Sequence, residues 1–195
     1  MNYLGHCVLS FGDAEILTGN LIADHVKGKL ALDKYPEGIK KGILLHRKID
    51  AFTDDHMATK RAKILFKPDY GLYASPILDC LYDHYLANDP KYFSSEKELL
   101  KFSENVYTKA ATQAAFFPEV FANYFPYMKQ HNWLYNYRAM PGMQKSLNGL
   151  RRRATHMPEI EAAYQTFVMN YYILAQCYYE FMDDISKFVK IELSL

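Results

Sequence analysis

Asn20 and Asp24, His46 and Asp50, and Asp79 and Asp83 form three pairs of oxygen and nitrogen donors, each pair four residues apart, and His84 follows the last pair directly. On an α-helix, residues i and i+4 share a face, so each pair would aim two donors in one direction. Three such helices packed side by side would bring the donors to one cation. Mixed carboxylate and imidazole donors suit Mn, Mg or Fe better than a thiolate-preferring structural zinc. The chemistry open to such an ion is hydrolytic: it polarises a phosphoryl oxygen and lowers the pKa of a bound water, while an unligated Asp or His takes the proton.

Each pair also has a plainer reading. Asp79, Asp83 and His84 sit in the run Ile77-Leu-Asp-Cys-Leu-Tyr-Asp-His-Tyr-Leu86, apolar on nearly every side and therefore expected to be buried. An unpaired carboxylate there costs about several kcal/mol, and two acids four apart repel, so either a metal or buried Arg/Lys partners are required. His84 is turned roughly 100° from Asp83 by the helical period, which makes it an edge ligand or a substrate contact. His46 and Asp50 follow Ile43-Leu44-Leu45 and read equally well as an ion pair on one helix, with Arg47, Lys48 and Asp54 marking a solvated face. Asn20 and Asp24, taken alone, read as hydrogen-bonding groups at a helix junction.

The elements that must position these residues are helical, because strand-like alternation is scarce and helix punctuation plentiful. Asp13 caps a segment expected to run to Gly28, and Pro36 opens a long helix to about His56. A basic helix is expected over Ala58 to Phe66, closed by Pro68, and another from about Tyr73 to Asn88. Ser95 and Glu98 have capping-box spacing ahead of a helix from Glu96 to Gln113. Pro118, Pro126 and Pro141 are expected to break the following stretch into short pieces, and Pro158 to about Ile191 reads as one long aromatic-rich helix with room for an interruption. The fold class is all-α, a single-domain helical bundle.

At 195 residues, 50% apolar and with a formal charge of +1, the chain suits one folded domain spanning 1–195 and excludes a disordered or generally polyanion-binding protein, so no nucleic-acid partner is expected. Cys7, Cys80 and Cys177 lack CxxC spacing, which points to a reducing cytoplasm. The N-terminus has no signal-peptide pattern, and Phe167 to Met182 is too short and too polar to span a bilayer, so no membrane role is expected. Arg151, Arg152 and Arg153 with Lys145, and Lys60, Arg61 and Lys63, read as solvated helix faces, or as ridges steering an acidic partner. The tyrosines of the last helix read as core, and Trp133 and Tyr135 as core or pocket wall.

The same residues lie in blocks that resemble the bacterial acyl-carrier-protein phosphodiesterases: Met1-Asn-Tyr-Leu-Gly-His6, Leu17-Thr-Gly-Asn-Leu-Ile-Ala-Asp24, Gly42-Ile-Leu-Leu-His46-Arg-Lys-Ile-Asp50 with Thr53-Asp54, Leu78-Asp79-Cys-Leu-Tyr-Asp83-His84, Tyr137-Arg-Ala-Met140 and Leu147-Asn-Gly149. They cover most of the chain in one order. The resemblance implies a cytoplasmic, all-helical, HD-phosphohydrolase-like hydrolase that depends on a divalent metal, Mn first and Mg or Fe as alternatives. Its implied reaction is hydrolysis of the phosphodiester joining 4′-phosphopantetheine to a serine of holo acyl carrier protein. It also implies that Asp24, His46, Asp50, Asp79, Asp83 and His84 form the metal and catalytic centre, with His6 beside them. Arg47 or Lys48 is then the expected cation for the developing phosphoryl charge. The chain departs from the pattern in carrying the HD pair reversed, as Asp83-His84, with Val8 in place of a second N-terminal histidine and His25 in place of an aromatic residue. Two rival readings are an HD-like phosphohydrolase acting on a nucleotide or other small phosphodiester, and a non-catalytic helical adaptor. A di-iron bundle is disfavoured, because the Glu-x-x-His pairs of such sites are missing.

Overall fold

Short polar side chains set where the helices begin. Asn2 accepts a hydrogen bond from the Tyr3 N–H at 3.0 Å and opens α1 (Tyr3–Val8), and Asp13 accepts from the N–H groups of Glu15 and Ile16, both at 2.9 Å, to open α2 (Ala14–Ile22). The short α3 (Lys29–Leu32) leads to Pro36, whose fixed φ starts the long α4 (Glu37–Asp55), and His56 accepts from the Ala58 N–H at the start of α5 (Met57–Ile64). After α6 (Lys67–Tyr70) come α7 (Ala74–Ala87) and α8 (Glu96–Thr112), the latter capped by Ser95 as its spacing predicts. The chain closes with α9 (Glu119–Gln130), α10 (Trp133–Asn136), α11 (Met140–Arg153), α12 (Glu161–Met169) and α13 (Tyr171–Leu193). The computed structural model describes residues 1–154 and 156–195, and among these there is no β-strand, as the all-α reading expects.

Two boundaries differ from the sequence reading, and the last helix takes the interruption for which that reading left room. The segment opened by Asp13 does not run to Gly28: it tightens into a 3₁₀ turn at Ala23–His25 and leaves helical geometry at Val26, whose carbonyl takes a 2.9 Å hydrogen bond from Arg47. Pro126 does not break its helix, because burial of Phe121, Phe125 and Met128 on one face of α9 offsets the missing backbone bond. The last helix is interrupted at Asn170, whose side chain donates to the Thr166 carbonyl at 2.8 Å and ends α12 before α13 begins.

Packing then decides what the helices hold together. Helices α2 and α4 cross with their backbones almost touching, since a Cβ on Gly19 would lie 2.2 Å from the Ile39 carbonyl and one on Gly42 would lie 2.3 Å from that of Ile16. Only glycine at both positions allows that approach. It sets His46, one turn beyond Gly42, against the carbonyl of Asn20. Helix α1 lies across α2 and α7, α11 packs on α7, and α13 runs along α4 and α5. A continuous core fills the space between, with Leu4, Ile39, Ile43, Leu78, Tyr82 and Phe181 among its fully buried members, each worth about 1.5–3 kcal/mol of hydrophobic burial. The three cysteines are free and buried, and among the described residues no helix is long and apolar enough to cross a membrane.

Candidate active site

Four donor residues converge where α1, the end of α2 and α4 meet. His6 from α1 and His46 from α4 stack with ring centroids 3.9 Å apart and planes 14° from parallel. Asp50, one turn beyond His46, places Oδ1 3.2 Å from His6 Nε2 and Oδ2 3.1 Å from His46 Nε2, and Asp24 Oδ1 stands 3.3 Å from the same His46 nitrogen. One donor atom each from His6, His46 and Asp50 lies within 4.8 Å of the other two. The cluster opens into a cavity of about 400 Å³ that Met1, Asp79 and Arg153 also line.

The protons in this cluster follow from the hydrogen bonds behind it. Ser10 Oγ donates to the His6 carbonyl and accepts from Asn20 Nδ2, both at 2.8 Å, which turns Asn20 Oδ1 toward His6 Nδ1 at 3.2 Å. That nitrogen therefore carries hydrogen. His6 Nε2 is left facing two acceptors, the Met1 carbonyl at 3.1 Å and Asp50. His46 repeats the arrangement: its Nδ1 donates to the Asn20 carbonyl at 2.8 Å, and its buried Nε2 has neither carboxylate oxygen aligned as a hydrogen-bond acceptor should be. An imidazole whose inner nitrogen is held by a fixed oxygen and whose outer nitrogen points at carboxylates is oriented as metal-ligating histidines are. The donor set of two imidazoles and one or two carboxylates fits a divalent cation, and the unaligned His46 Nε2 is the atom such an ion would engage.

Without an ion, the charges share a proton. Burial works against a charged His46, but Asp24 and Asp50 outweigh it and hold its pKa up at about 9. Burial and the neighbouring His46 push His6 down. Asp50 is held well below the usual carboxylate range, burial being overcome by the two imidazoles, and Asp24 is lowered by its contact with His46.

The other residues singled out by spacing are placed differently. Asp83 is fully buried and serves α1: Oδ2 accepts from the Leu4 N–H at 2.7 Å, and Oδ1 accepts from Gly5 and Asn2 at 3.1 and 3.2 Å. It holds the helix that carries His6 and stands outside the cluster. Burial pushes its carboxyl up to about 7, against the pull of the Met1 amino group and those three amides. Asp79 lines the cavity wall, where its Oδ1 accepts from the Met1 amino group at 2.8 Å. His84 points to the far side of α7, between the Tyr137 carbonyl at 2.7 Å and the Tyr171 hydroxyl at 3.0 Å, and burial lowers its pKa. The three pairs thus do not meet at one point, because the helical turn that aims Asp79 at the cavity carries Asp83 under α1 and His84 into the core.

Arg47 is committed to the Val26 carbonyl and Lys48 to Glu192, so neither reaches the cavity. The side-chain cation that lines it is Arg153, at the end of a run that reads in the sequence as a solvated face. Lys60, Arg61 and Lys63 are paired with Asp55, Glu180 and Asp54, which accounts for that patch as surface ion pairing. Asn20 is the other residue the sequence undervalues, since its side chain and carbonyl orient both histidines.

A family model described as acyl carrier protein phosphodiesterase matches residues 1–185. The acyl carrier protein phosphodiesterase of Enterobacter sp. (strain 638) is 32% identical over 181 residues, covering 93% of each chain. Those of Salmonella paratyphi A and Salmonella agona are 30% identical over 181 residues, again covering 93% of each chain. No solved structure matches the chain at a significant level.

Proposed function

The chain belongs to the acyl carrier protein phosphodiesterase family and is a hydrolase, and we propose that it hydrolyses the phosphodiester between 4′-phosphopantetheine and the serine of holo acyl carrier protein with the help of a divalent metal. Mn is the first expectation for that ion, with Mg or Fe as alternatives. The observation that carries this reading is the pair of stacked histidines, each with Nδ1 satisfied by an Asn20 oxygen and Nε2 directed at Asp50 beside an open cavity. His6, His46 and Asp50 are the proposed ligands, with Asp24 beside them.

Bound there, a divalent ion would supply Lewis acidity toward a phosphoryl oxygen and would lower the pKa of a water. The residues of the chain do the rest. Asp24, with 71% of its side chain exposed at the mouth of the cluster, is the carboxylate free to take the attacking water's proton. Arg153 lines the same cavity and offers fixed positive charge to the phosphoryl group as charge builds on it. As the water oxygen bonds to phosphorus, the bond from phosphorus to the serine oxygen breaks, and a proton returns to that oxygen. Apo carrier protein and free 4′-phosphopantetheine leave. The same reading makes the protein a divergent HD-type phosphohydrolase working in the cytoplasm on a protein substrate.

The test is a mass measurement on the carrier. Metal-stripped protein is incubated with holo carrier and then supplied with Mn. Conversion to the apo mass on Mn addition, and none under chelation, is expected; no conversion with any divalent metal or carrier would retire the substrate.

A further inference from the structure

The cavity at the histidine cluster does not end there. It adjoins a second cleft of about 750 Å³, with Asn2, Tyr3 and Arg153 lining both. One wall is aromatic: Trp133 stacks on Tyr124 with centroids 6.0 Å apart and planes 8° from parallel, and the Tyr3 and Tyr124 hydroxyls are 2.9 Å apart. The rest of the lining comes largely from α11. It contributes Lys145, Arg152 and Arg153, none of which pairs with a carboxylate among the described residues, and no acidic side chain lines the cleft. Three unneutralised cations in one concavity of a chain whose formal charge is only +1 describe a seat for an anion.

Gly149 adds a shape argument. It lies inside α11, where glycine weakens a helix, yet it has no left-handed φ, and a Cβ built on it would meet nothing within 4 Å. Gly142 on the same helix is different, because a Cβ there would lie 1.9 Å from the Asn136 carbonyl. Backbone geometry and packing explain Gly142 and leave Gly149 unexplained. What the missing side chain at Gly149 keeps open is the cleft.

We propose that this cleft seats the phosphopantetheine arm of the substrate. Arg153, which lines both cavities, meets the phosphoryl end beside the histidine cluster. The amide-bearing chain lies along the Tyr3, Tyr124 and Trp133 wall and passes over Gly149. The assignment rests on the phosphodiesterase reading for the identity of the arm, and the experiment below separates the two.

Trp133 is the only tryptophan, so its fluorescence reports this wall directly. Titration of the full chain with 4′-phosphopantetheine should give a saturable change, and pantetheine without its phosphate should bind at least tenfold more weakly. Gly149→Phe, which projects into open space, should keep the wild-type melting temperature and lose at least tenfold in affinity. Lys145→Glu, a surface change, should weaken the response at least threefold at low salt. The proposal is overturned if apo carrier gives the response and phosphopantetheine does not, which would make the cleft a protein-docking face, or if inorganic phosphate binds as tightly as the arm. It is also overturned if Gly149→Phe binds the arm as wild type does. A protein that binds the arm here but releases none from holo carrier would retire the hydrolysis reading alone; one that releases it with Gly149→Phe and wild type at equal KM would retire the cleft alone.

Discussion

Replacing Asp83 by asparagine separates a structural role from a catalytic one. The Asp83 carboxylate is fully buried and accepts three backbone N–H groups from the start of α1, the shortest at 2.7 Å from Leu4. Asparagine keeps one acceptor oxygen and turns an NH₂ donor toward amides that are themselves donors. A hydrogen bond to a charged buried acceptor is worth about 1.5–3 kcal/mol, and an orphaned N–H costs a further 1–3 kcal/mol or so. Set against this is the burial cost of the charge, visible in the rise of the Asp83 pKa to about 7, which asparagine removes. The lost acceptor and the orphaned N–H, together about 2.5–6 kcal/mol, are expected to outweigh that relief, and each net kcal/mol lowers the melting temperature of a chain of this size by roughly 2–4 °C. Because α1 carries His6, metal affinity should fall along with protection of the Leu4 and Gly5 amides from hydrogen exchange. Calorimetry and exchange on the variant test this together. An Asp83→Asn protein with wild-type melting and wild-type exchange but no activity would refute the reasoning and make Asp83 a reacting group.

Other perturbations probe the positioning of the site. Gly42→Ala would put a Cβ 2.3 Å from the Ile16 carbonyl, and since backbone cannot yield as a side-chain tip does, a loss of about 3 kcal/mol should appear as a lower urea midpoint with the slope unchanged. Asn20→Ala removes the oxygen that fixes His6 and should weaken Mn binding by about 10–100-fold in a calorimetric titration; unchanged affinity would show that the Nδ1 contact does not matter. The raised pKa of His46, about 9 in the metal-free protein, gives pH effects of definite sign. Metal uptake near pH 7 must release close to one proton from His46, so affinity should climb with pH up to about 9 and then flatten, as titrations in buffers of different ionisation enthalpy would reveal. Metal-free stability should move the opposite way, with the His46 contribution fully present below its unfolded pKa of about 6.5 and lost as pH rises through about 9.

The sequence makes the helical class legible because its punctuation is local: Asp13, Pro36 and Ser95 cap or open helices through their own side chains and immediate neighbours. The breaks it misplaces depend on distant partners. The α2 segment ends early at Val26, whose carbonyl is taken by Arg47 from another helix, and Pro126 survives inside α9 because the aromatic face packs elsewhere. His46 and Asp50 are legible because both side chains lie on one face of one helix. His6 comes from a six-residue helix whose placement over the site depends on Asp83, a contact 79 residues away at its shortest bond, and spacing carries no record of it. The four-residue rule for Asp79 and Asp83 holds as geometry, yet it does not say that the residue one turn on lies under another helix. Arg153 is obscured by Arg151 and Arg152, since a triple-arginine run does not reveal which member borders the histidine cavity.

His6, His46 and Asp50 are the proposed holders of the ion that supports phosphodiester hydrolysis. Anomalous scattering from crystals grown with Mn tests that assignment most directly. One peak within about 2.0–2.3 Å of both histidine Nε2 atoms and of an Asp50 oxygen is expected, at the usual distances for nitrogen and carboxylate ligands. A peak seated instead between Asp83 and His84, or catalysis by crystals that hold no ion at the histidine pair, would contradict it.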